Sequence, residues 1–270
     1  MQESKNNNFN HIKIHTQYSI CEGALKIDDL KDYCKSNKIK SLGLSDTNNL
    51  SGSLEFSENL SSIGTHPIIG TQILFNYNDN VGFLPLIAKN IKGYKNIIEL
   101  SSKSYLENQN LTSPQCDLQD LIDKSEGVIV LSGSISGLIG NLFNNALFND
   151  IEDIYKKLST KFNDNFYIEI QRHGDKNEKQ FENFNLNQSS NHNISIIATN
   201  EVYYLDKSMH EAHDALMCIG QKTYINDTER TKLTNNHYLK SSSEMYDLFE
   251  DLPEALENNS NLPYRCNFRP

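Results

Sequence analysis

Short apolar segments alternate with longer amphipathic segments along most of this chain. Apolar runs bounded by polar residues are typical of buried strands, and they lie at residues 11–14, 41–44, 67–69, 83–88, 128–131, 166–170 and 194–198. Helical periodicity fills most of the intervals, at residues 27–37, 54–63, 94–105, 118–124, 138–147, 151–162 and 176–188. This alternation predicts βα units around a mostly parallel sheet.

About seven such units predict a closed or nearly closed α/β barrel, although an open doubly wound sheet fits the same pattern. The alternation stops after Tyr224. One last helix is predicted over residues 242–258, because Ser241 and Glu244 have the spacing of a capping box. The sequence therefore predicts a disordered tail at residues 1–8, a barrel domain at 9–225, and a C-terminal helix with a connecting segment at 226–270.

Composition and charge exclude several classes of function for this chain. The 270 residues carry a formal charge of −10, so the averaged surface repels nucleic acid and anionic membranes. The first residues lack the apolar core of a secretory signal, and no apolar run is long enough to span a membrane. The five cysteines are scattered and form no C-x-x-C pair, which disfavours a disulfide framework or a thiolate zinc site. We expect a cytoplasmic protein with reduced thiols.

Candidate functional residues follow the predicted strands, because α/β folds bind ligands at the carboxyl ends of their strands. Four side chains stand out as a group at these ends: His15, Asp46, His173 and Glu201. Strand periodicity places His11, Lys13 and His15 on one face. An ammonium group between two imidazoles repels a divalent cation, so this face does not resemble a working metal site. Lys13 would instead suit a carboxylate partner, either Asp46 or Glu201.

Other motifs fail on inspection. "HEAHD" at residues 210–214 has an aspartate where a zincin needs its second histidine, and "GSISG" at residues 133–137 has Ile135 where a nucleophile elbow needs serine. No phosphate-binding glycine loop is present in the sequence. Histidines flanked by turn residues are interpreted as hydrogen-bonded core or rim residues, namely His66, His192 and His237.

Several segments together resemble the PHP (polymerase and histidinol phosphatase) domain family. They match the version at the N-terminus of bacterial replicative DNA polymerase III α subunits, and the match is collinear from about Phe9 to the end of the chain. The segments that carry it are "HIKIHTQYSICEGALKIDDL", "SLGLSDTNNLSGSLEF", "HPIIGTQI", "LIAKNIKGYKNIIELSSKSYLE", "GVIVLSGSISGLIG", "FYIEIQRHG", "IIATNEVYYLDKSMHEAHDALMCI" and "SSSEMYDLFEDLPEAL".

The resemblance implies a distorted (β/α)₇ TIM-like barrel and, in metal-bearing members, a trinuclear site that hydrolyses phosphoesters with metal-activated water. Only part of that ligand pattern is present in this sequence. The matched positions that keep a usable side chain are His15, Asp46 and Glu201, and His173 matches a histidine of polymerase members. The positions at which a ligand is lost fall on Lys13, Thr47, Gln72, Leu84, Ser134 and Tyr203.

The resemblance therefore implies the N-terminal domain of a DNA-directed DNA polymerase, a nucleotidyltransferase of DNA replication, with a vestigial metal pocket. We expect no catalytic residue, cofactor or metal in this segment, with Mg²⁺ serving only the polymerase core. The expected partners are that core in the same chain, the proofreading exonuclease subunit and the replisome, with DNA contacted only through the parent polymerase. The alternative is an active PHP phosphoesterase or 3′-5′ proofreading exonuclease that uses Zn²⁺ or Mn²⁺ at His15, Asp46, Glu201 and His173.

Overall fold

The computed structural model describes residues 8–107 and 113–270. The strands, numbered in chain order, are β1 Lys13–Ile14, β2 Ser41–Gly43, β3 Asp46–Thr47, β4 His66–Ile68, β5 Gly70–Tyr77, β6 Asn80–Ala88, β7 Cys116–Asp117, β8 Val128–Leu131, β9 Phe166–Ile170, β10 Ile196–Ala198 and β11 Glu201–Val202. All seven predicted strands are confirmed; β8 and β9 have the predicted ends, and the ends of the other five are shifted. The sequence interpretation missed β3, β5, β7 and β11.

The helices are α1 Ile27–Asn37, α2 Ser53–Ser61, α3 Ile91–Leu106, α4 Leu118–Asp123, α5 Leu138–Asn144, α6 Phe148–Phe162, α7 Glu178–His192, α8 His210–Gln221, α9 Ser242–Leu248 and α10 Pro253–Asn261. Three short 3₁₀ helices cover Asn163–Asn165, Lys207–Met209 and Leu262–Arg265. None of the helices described is both long and apolar enough to cross a lipid bilayer. The seven helices predicted before residue 192 are confirmed, and α8 was not predicted.

The predicted single helix over residues 242–258 is wrong. Two helices occupy this region because Pro253, which begins α10, cannot donate the backbone hydrogen bond that a continuous helix requires. The predicted capping box is present: the Ser241 hydroxyl accepts from the Glu244 backbone amide, and the Glu244 carboxylate accepts from the Ser241 amide. This cap fixes the start of α9, and the proline fixes the start of α10.

The strands form a closed barrel with seven strand positions, because β2 continues into β3, β4 into β5 and β10 into β11, and the short β7 lies beside β5. One mixed sheet has the order β10-β9-β8-β6-β5-β3, with β7 beside β5, while β2 pairs with β4 and β1 pairs with β11 in parallel. A bridge between Ile14 and Leu44 and a bond from the Gly43 amide to the His11 carbonyl join β1 to β2. Gly43 is required there, because a Cβ atom would lie 2.5 Å from the Ile12 Cα. The α/β barrel prediction is confirmed.

The barrel departs from a regular βα repeat at β5 and β6. These strands pair antiparallel over eight residue pairs and are joined by a tight turn. Asn78 and Asp79 form this turn with φ of +48° and +62°, values that asparagine and aspartate tolerate better than most residues. β6 is therefore reversed relative to β5 and β8, which makes the barrel distorted.

Apolar side chains fill the barrel's lower interior and the layer between strands and helices. The inner cluster contains Ile12, Ile68, Ile87, Ile129, Leu131, Tyr167, Ile197, Leu262 and Cys266. Met245, Phe249 and Leu256, from α9 and α10, belong to the large cluster between the sheet and the helices. Residues of the predicted C-terminal helix therefore contribute to the barrel's packing. The predicted tail lies outside the described residues except for Asn8, whose amide donates to the Lys38 carbonyl.

Candidate functional site

A cavity of about 390 Å³ opens at the carboxyl ends of the barrel strands. Six of its lining residues carry the argument here: Lys13, Gln72, Phe83, Ser134, Glu201 and Tyr203. They come from β1, β5, β6, the segment after β8, and β11 with the residue that follows it. The structure therefore brings five of the ten positions named from the sequence into one cavity, namely Lys13, Gln72, Ser134, Glu201 and Tyr203.

Lys13 lies at the centre of this site. Its side chain is 2% exposed, and its Nζ lies 3.3 Å from Glu169 Oε1 and 3.2 Å from Glu201 Oε1. Burial by itself would lower the pKa of Lys13, but the two carboxylates outweigh burial and raise it above its ordinary value. Lys13 therefore stays charged, and the prediction that it pairs with Glu201 is confirmed.

Glu169 is the site residue that sequence reasoning missed. It lies in β9 within the run "FYIEI", whose apolar residues hid it. Its Oε1 accepts hydrogen bonds from Gln171 Nε2 at 2.7 Å and from the Thr199 hydroxyl, in addition to its contact with Lys13. The signal was available in the sequence, since strand periodicity places Tyr167, Glu169 and Gln171 on the face opposite Ile168 and Ile170.

His15 contacts the same oxygen of Glu201 as Lys13 does. Its Nε2 lies 3.3 Å from Glu201 Oε1, its Nδ1 lies 3.3 Å from the Ser19 hydroxyl, and its ring stacks on Tyr203 at 4.3 Å between centroids. Burial raises the pKa of Glu201, but Lys13 and then His15 more than reverse this and hold it well below its usual value. Burial, followed by the charge of Glu201, raises the pKa of Tyr203 well above its usual value, so Tyr203 stays neutral.

Asp46 belongs to a separate set of contacts. Its Oδ1 accepts from the Thr16 amide at 2.6 Å and from the Ser19 hydroxyl at 2.7 Å, and its Oδ2 accepts from the Thr16 hydroxyl at 2.8 Å. Burial raises the pKa of Asp46 in spite of these bonds. The alternative that Lys13 pairs with Asp46 is wrong, because local donors in the β1 loop already hold this carboxylate.

The other positions matched to lost ligands divide into two groups. Thr47 donates to Glu22 Oε2 at 2.6 Å and accepts from Gln72 Nε2 at 3.3 Å, and the Ser134 hydroxyl lies 2.9 Å from that of Ser136. Ser134 lines the cavity, and Thr47 contacts two of the lining residues. Leu84 does not: it is buried in the apolar layer between the sheet and the helices. Its neighbours Phe83 and Pro85 line the cavity instead, so the placement of Leu84 at the site is off by one residue.

His173 supports the site from behind through backbone contacts. Its Nε2 accepts from the Glu201 amide at 3.3 Å, and its Nδ1 lies 3.3 Å from the Asn236 carbonyl, to which it donates. Its ring stacks on His237 at 3.9 Å, and the His237 Nδ1 donates to the Glu201 carbonyl at 3.1 Å. Burial lowers the pKa of His173 well below its usual value and that of His237 to about 4. Both neutral rings hold the backbone of Glu201.

His11 does not take part, although its position in "HIKIH" suggested that it would. Its Nε2 lies 2.8 Å from the Lys240 carbonyl, and its ring packs edge-on against Phe9. The neighbouring isoleucines pack on different sides of the strand. Ile12 lies in the inner cluster of the barrel, whereas Ile14 lies in the cluster outside it. The strict alternation expected for this segment therefore breaks at β1, which has only two residues.

The residues present do not fit the metal cluster that the fold family implies. Within residues 8–107 and 113–270, no group of three or more His, Cys, Asp and Glu side chains is arranged to hold a metal ion. The two carboxylates at the centre already face an ammonium group, and Gln72 and Tyr203 supply a neutral amide and a neutral phenol. The chemistry of this donor set favours an internal ion-pair network.

Comparisons with known proteins agree with the architecture. The family model described as "PHP domain" matches residues 11–173. The chain is 34% identical to the DNA polymerase III subunit alpha of Caulobacter vibrioides over 99% of this chain and 24% of that protein. It is 36% identical to that of Rickettsia conorii (96% and 22%) and 33% identical to that of Vibrio cholerae (96% and 23%). The chain thus spans about a quarter of the curated relatives it matches.

Among solved structures, the chain is similar to a two-domain protein from Bacteroides vulgatus, described as containing a predicted PHP-like metal-dependent phosphoesterase. The two are 12% identical with a TM-score of 0.48, over 89% of this chain and 62% of that chain.

Proposed function

The chain belongs to the PHP domain family and is homologous to the N-terminal region of DNA polymerase III α subunits, and from this premise we propose that it serves a replicative polymerase as a metal-free structural domain. One observation carries the proposal: the buried ammonium group of Lys13 lies between Glu169 and Glu201. It supplies, from the chain itself, positive charge that the carboxylates of this site would otherwise take from metal ions.

The chemistry of Lys13 supports a structural role over hydrolysis. A PHP phosphoesterase needs a metal ion that lowers the pKa of a bound water and polarises the phosphoryl group. An ammonium group donates hydrogen bonds, but it is not a Lewis acid and therefore cannot coordinate and activate a water molecule as a metal ion does. Because Lys13 pairs with Glu169 and Glu201 inside the barrel, its charge stabilises the fold and leaves no open position for a nucleophile.

The partners follow from the relatives. Curated relatives that match this chain are much longer α subunits. We propose that the domain braces a polymerase core in the same chain, docks the proofreading exonuclease subunit within the replisome, and meets DNA only through the parent polymerase in the cytoplasm. Mg²⁺ would act in that core. The formal charge of −10 supports indirect rather than direct contact with DNA.

Metal content and hydrolysis test the proposal together. We expect the chain, incubated with Zn²⁺ and Mn²⁺ and then thoroughly desalted, to retain less than one ion per molecule by mass spectrometry. We also expect no hydrolysis of a phosphomonoester or of single-stranded DNA above the blank. Two or more retained ions, together with hydrolysis that chelation abolishes, would overturn the proposal and establish the phosphoesterase or exonuclease alternative.

A further inference from the structure

Two buried polar atoms face the same small cavity behind the charged site. Glu169 Oε2 and Asn185 Nδ2 are both inaccessible to solvent, and neither has a hydrogen-bond partner within the described parts of the chain. Glu169 and Asn185 both line a cavity of about 10 Å³ between β9 and α7. One atom is an acceptor and the other a donor, so a single group that both donates and accepts hydrogen bonds could satisfy both.

The electrostatics of Glu169 require a donor at Oε2. Lys13, Gln171 and Thr199 all approach Oε1, and Oε2 carries an equal share of the charge when the carboxylate is ionised. A buried charged oxygen without a donor destabilises a fold more than a buried neutral group does. No donor to Oε2 is found within the described parts of the chain, so the missing donor has to come from the cavity that Glu169 lines.

We propose that this cavity is a binding site for one structural water molecule. A volume of about 10 Å³ is close to the smallest that holds a water, and such waters bind where several polar groups converge. The water would accept a hydrogen bond from Asn185 Nδ2 and donate one to Glu169 Oε2. A cation is a poorer ligand, because the amide group directed to the cavity is a donor.

The water site extends the charged network into the helix layer. The Tyr155 hydroxyl of α6 donates to Asn185 Oδ1 at 2.6 Å, which fixes the amide so that Nδ2 points away from Tyr155. Lys13, Glu169, the water, Asn185 and Tyr155 then form one continuous chain from the barrel interior to two outer helices. The charge at the mouth is positioned by α6 and α7 as well as by the strands.

Crystal structures at a resolution that shows ordered waters, solved for the 270-residue chain and two variants, test this site. We expect one water within hydrogen-bond distance of Glu169 Oε2 and Asn185 Nδ2 in the unmodified chain. The water should persist in Tyr155→Phe, which removes the hydroxyl that donates to Asn185 Oδ1 but keeps Asn185 Nδ2 and Glu169 Oε2. It should be lost in Asn185→Leu, whose melting temperature we expect to fall by about 2–4 °C.

A dry cavity in the unmodified chain, or a protein donor found on Glu169 Oε2, would overturn the proposal. A water retained in Asn185→Leu in the same position would also count against it, since Asn185 would then not be its donor. If Asn185→Leu fails to fold, the maps of the unmodified chain and of Tyr155→Phe still decide between an occupied and a dry site.

Discussion

The two halves of the barrel interior are held together by different interactions, apolar packing in the lower half and ion pairs in the upper half. The lower half is filled by a cluster of aliphatic side chains and one tyrosine ring, among them Ile129 and Ile197. The upper half, one to four residues further along the same chain segments, contains Lys13, Glu169 and Glu201. Both halves are almost completely buried. The same strands therefore present an apolar lower face and a charged upper face to one continuous interior.

The two halves should lose stability in different ways when a side chain is substituted. Each aliphatic contact contributes free energy in proportion to the apolar area it buries, so losses in the lower half are graded. In the upper half the groups depend on one another, because removing one charge leaves its partners buried and unpaired. The lower half should tolerate moderate substitution, whereas the upper half should fail as a unit.

The largest expected effect is that of Lys13→Met. This variant keeps the volume of the side chain but leaves Glu169 and Glu201 without their cation, and breaking a buried pair in this way costs about 3–5 kcal/mol. Urea denaturation at neutral pH measures the loss. Lys103→Met is the matched control, since Lys103 also contacts two carboxylates, Glu107 and Asp120, but at the surface. That loss should stay below about 1 kcal/mol.

If Lys13→Met and Lys103→Met lost the same free energy of unfolding, burial would not make the interior ion pairs more important than those at the surface. The triple variant Lys13→Met/Glu169→Gln/Glu201→Gln sharpens the result, because it removes the whole set of charges. We expect it to recover much of the stability that Lys13→Met loses.

Ile197→Ala probes the lower half. The side chain is fully buried in the inner cluster, and truncation of this kind costs about 2–4 kcal/mol through lost burial and the cavity left behind. The loss should be the same at pH 5 and pH 8, because the inner cluster contains no carboxylate or imidazole. A strong pH dependence of this loss, measured by denaturation at both values, would contradict the separation of the two halves.

Of the two halves of the interior, only the upper one contains carboxylates that acid can titrate. The pKa of Glu201 is held well below its ordinary value, so its contribution is complete above the unfolded pKa of about 4.3 and is lost as pH falls towards the folded pKa. One proton taken up on unfolding changes the stability by about 1.4 kcal/mol per pH unit. Asp46 titrates in the opposite sense because burial raises its pKa.

Comparison with Glu201→Gln isolates the contribution of Glu201, since Asp46 is unchanged in that variant. Below about pH 4.3, the free energy of unfolding of the unmodified chain should fall more steeply with decreasing pH than that of Glu201→Gln. Parallel slopes would mean that Glu201 is not held in its ionised form by Lys13 and His15.

Thr199→Val should have the smallest effect. The hydroxyl of Thr199 is one of three donors to Glu169 Oε1, and valine has nearly the same shape. Because Lys13 and Gln171 remain, we expect a loss of about 1–2 kcal/mol by thermal or urea denaturation. A loss as large as that of Lys13→Met would show that the hydroxyl, rather than the ammonium group, holds the carboxylate in place.

The fold was predictable where hydrophobic periodicity is strong. The bounds of α1 are those predicted, and β8 and β9 match as well. β5 was missed because its polar and apolar residues, "GTQILFNY", lie in an irregular order and its partner β6 runs antiparallel to it. The split between α9 and α10 was readable from Pro253, but the amphipathic pattern on both sides of the proline outweighed it.

The site was predictable in part. The strand-end rule and the family resemblance together placed Lys13, His15 and Glu201, which the structure brings into contact. Glu169 escaped because it lies inside a strand rather than at its end. The roles of His173 and His237 depend on contacts with the backbone of Glu201, and such contacts leave no signal in a single sequence.

The pairing of β1 with β11 places Lys13 in register with Glu201, so the charges that neutralise each other are encoded near opposite ends of the barrel sequence. A fragment that lacks β11 keeps the ammonium group without Glu201, and a fragment that lacks β1 keeps both carboxylates without their cation. Any cut between residues 13 and 201 separates these groups. No fragment made by a single cut in this interval therefore holds the complete set of paired charges.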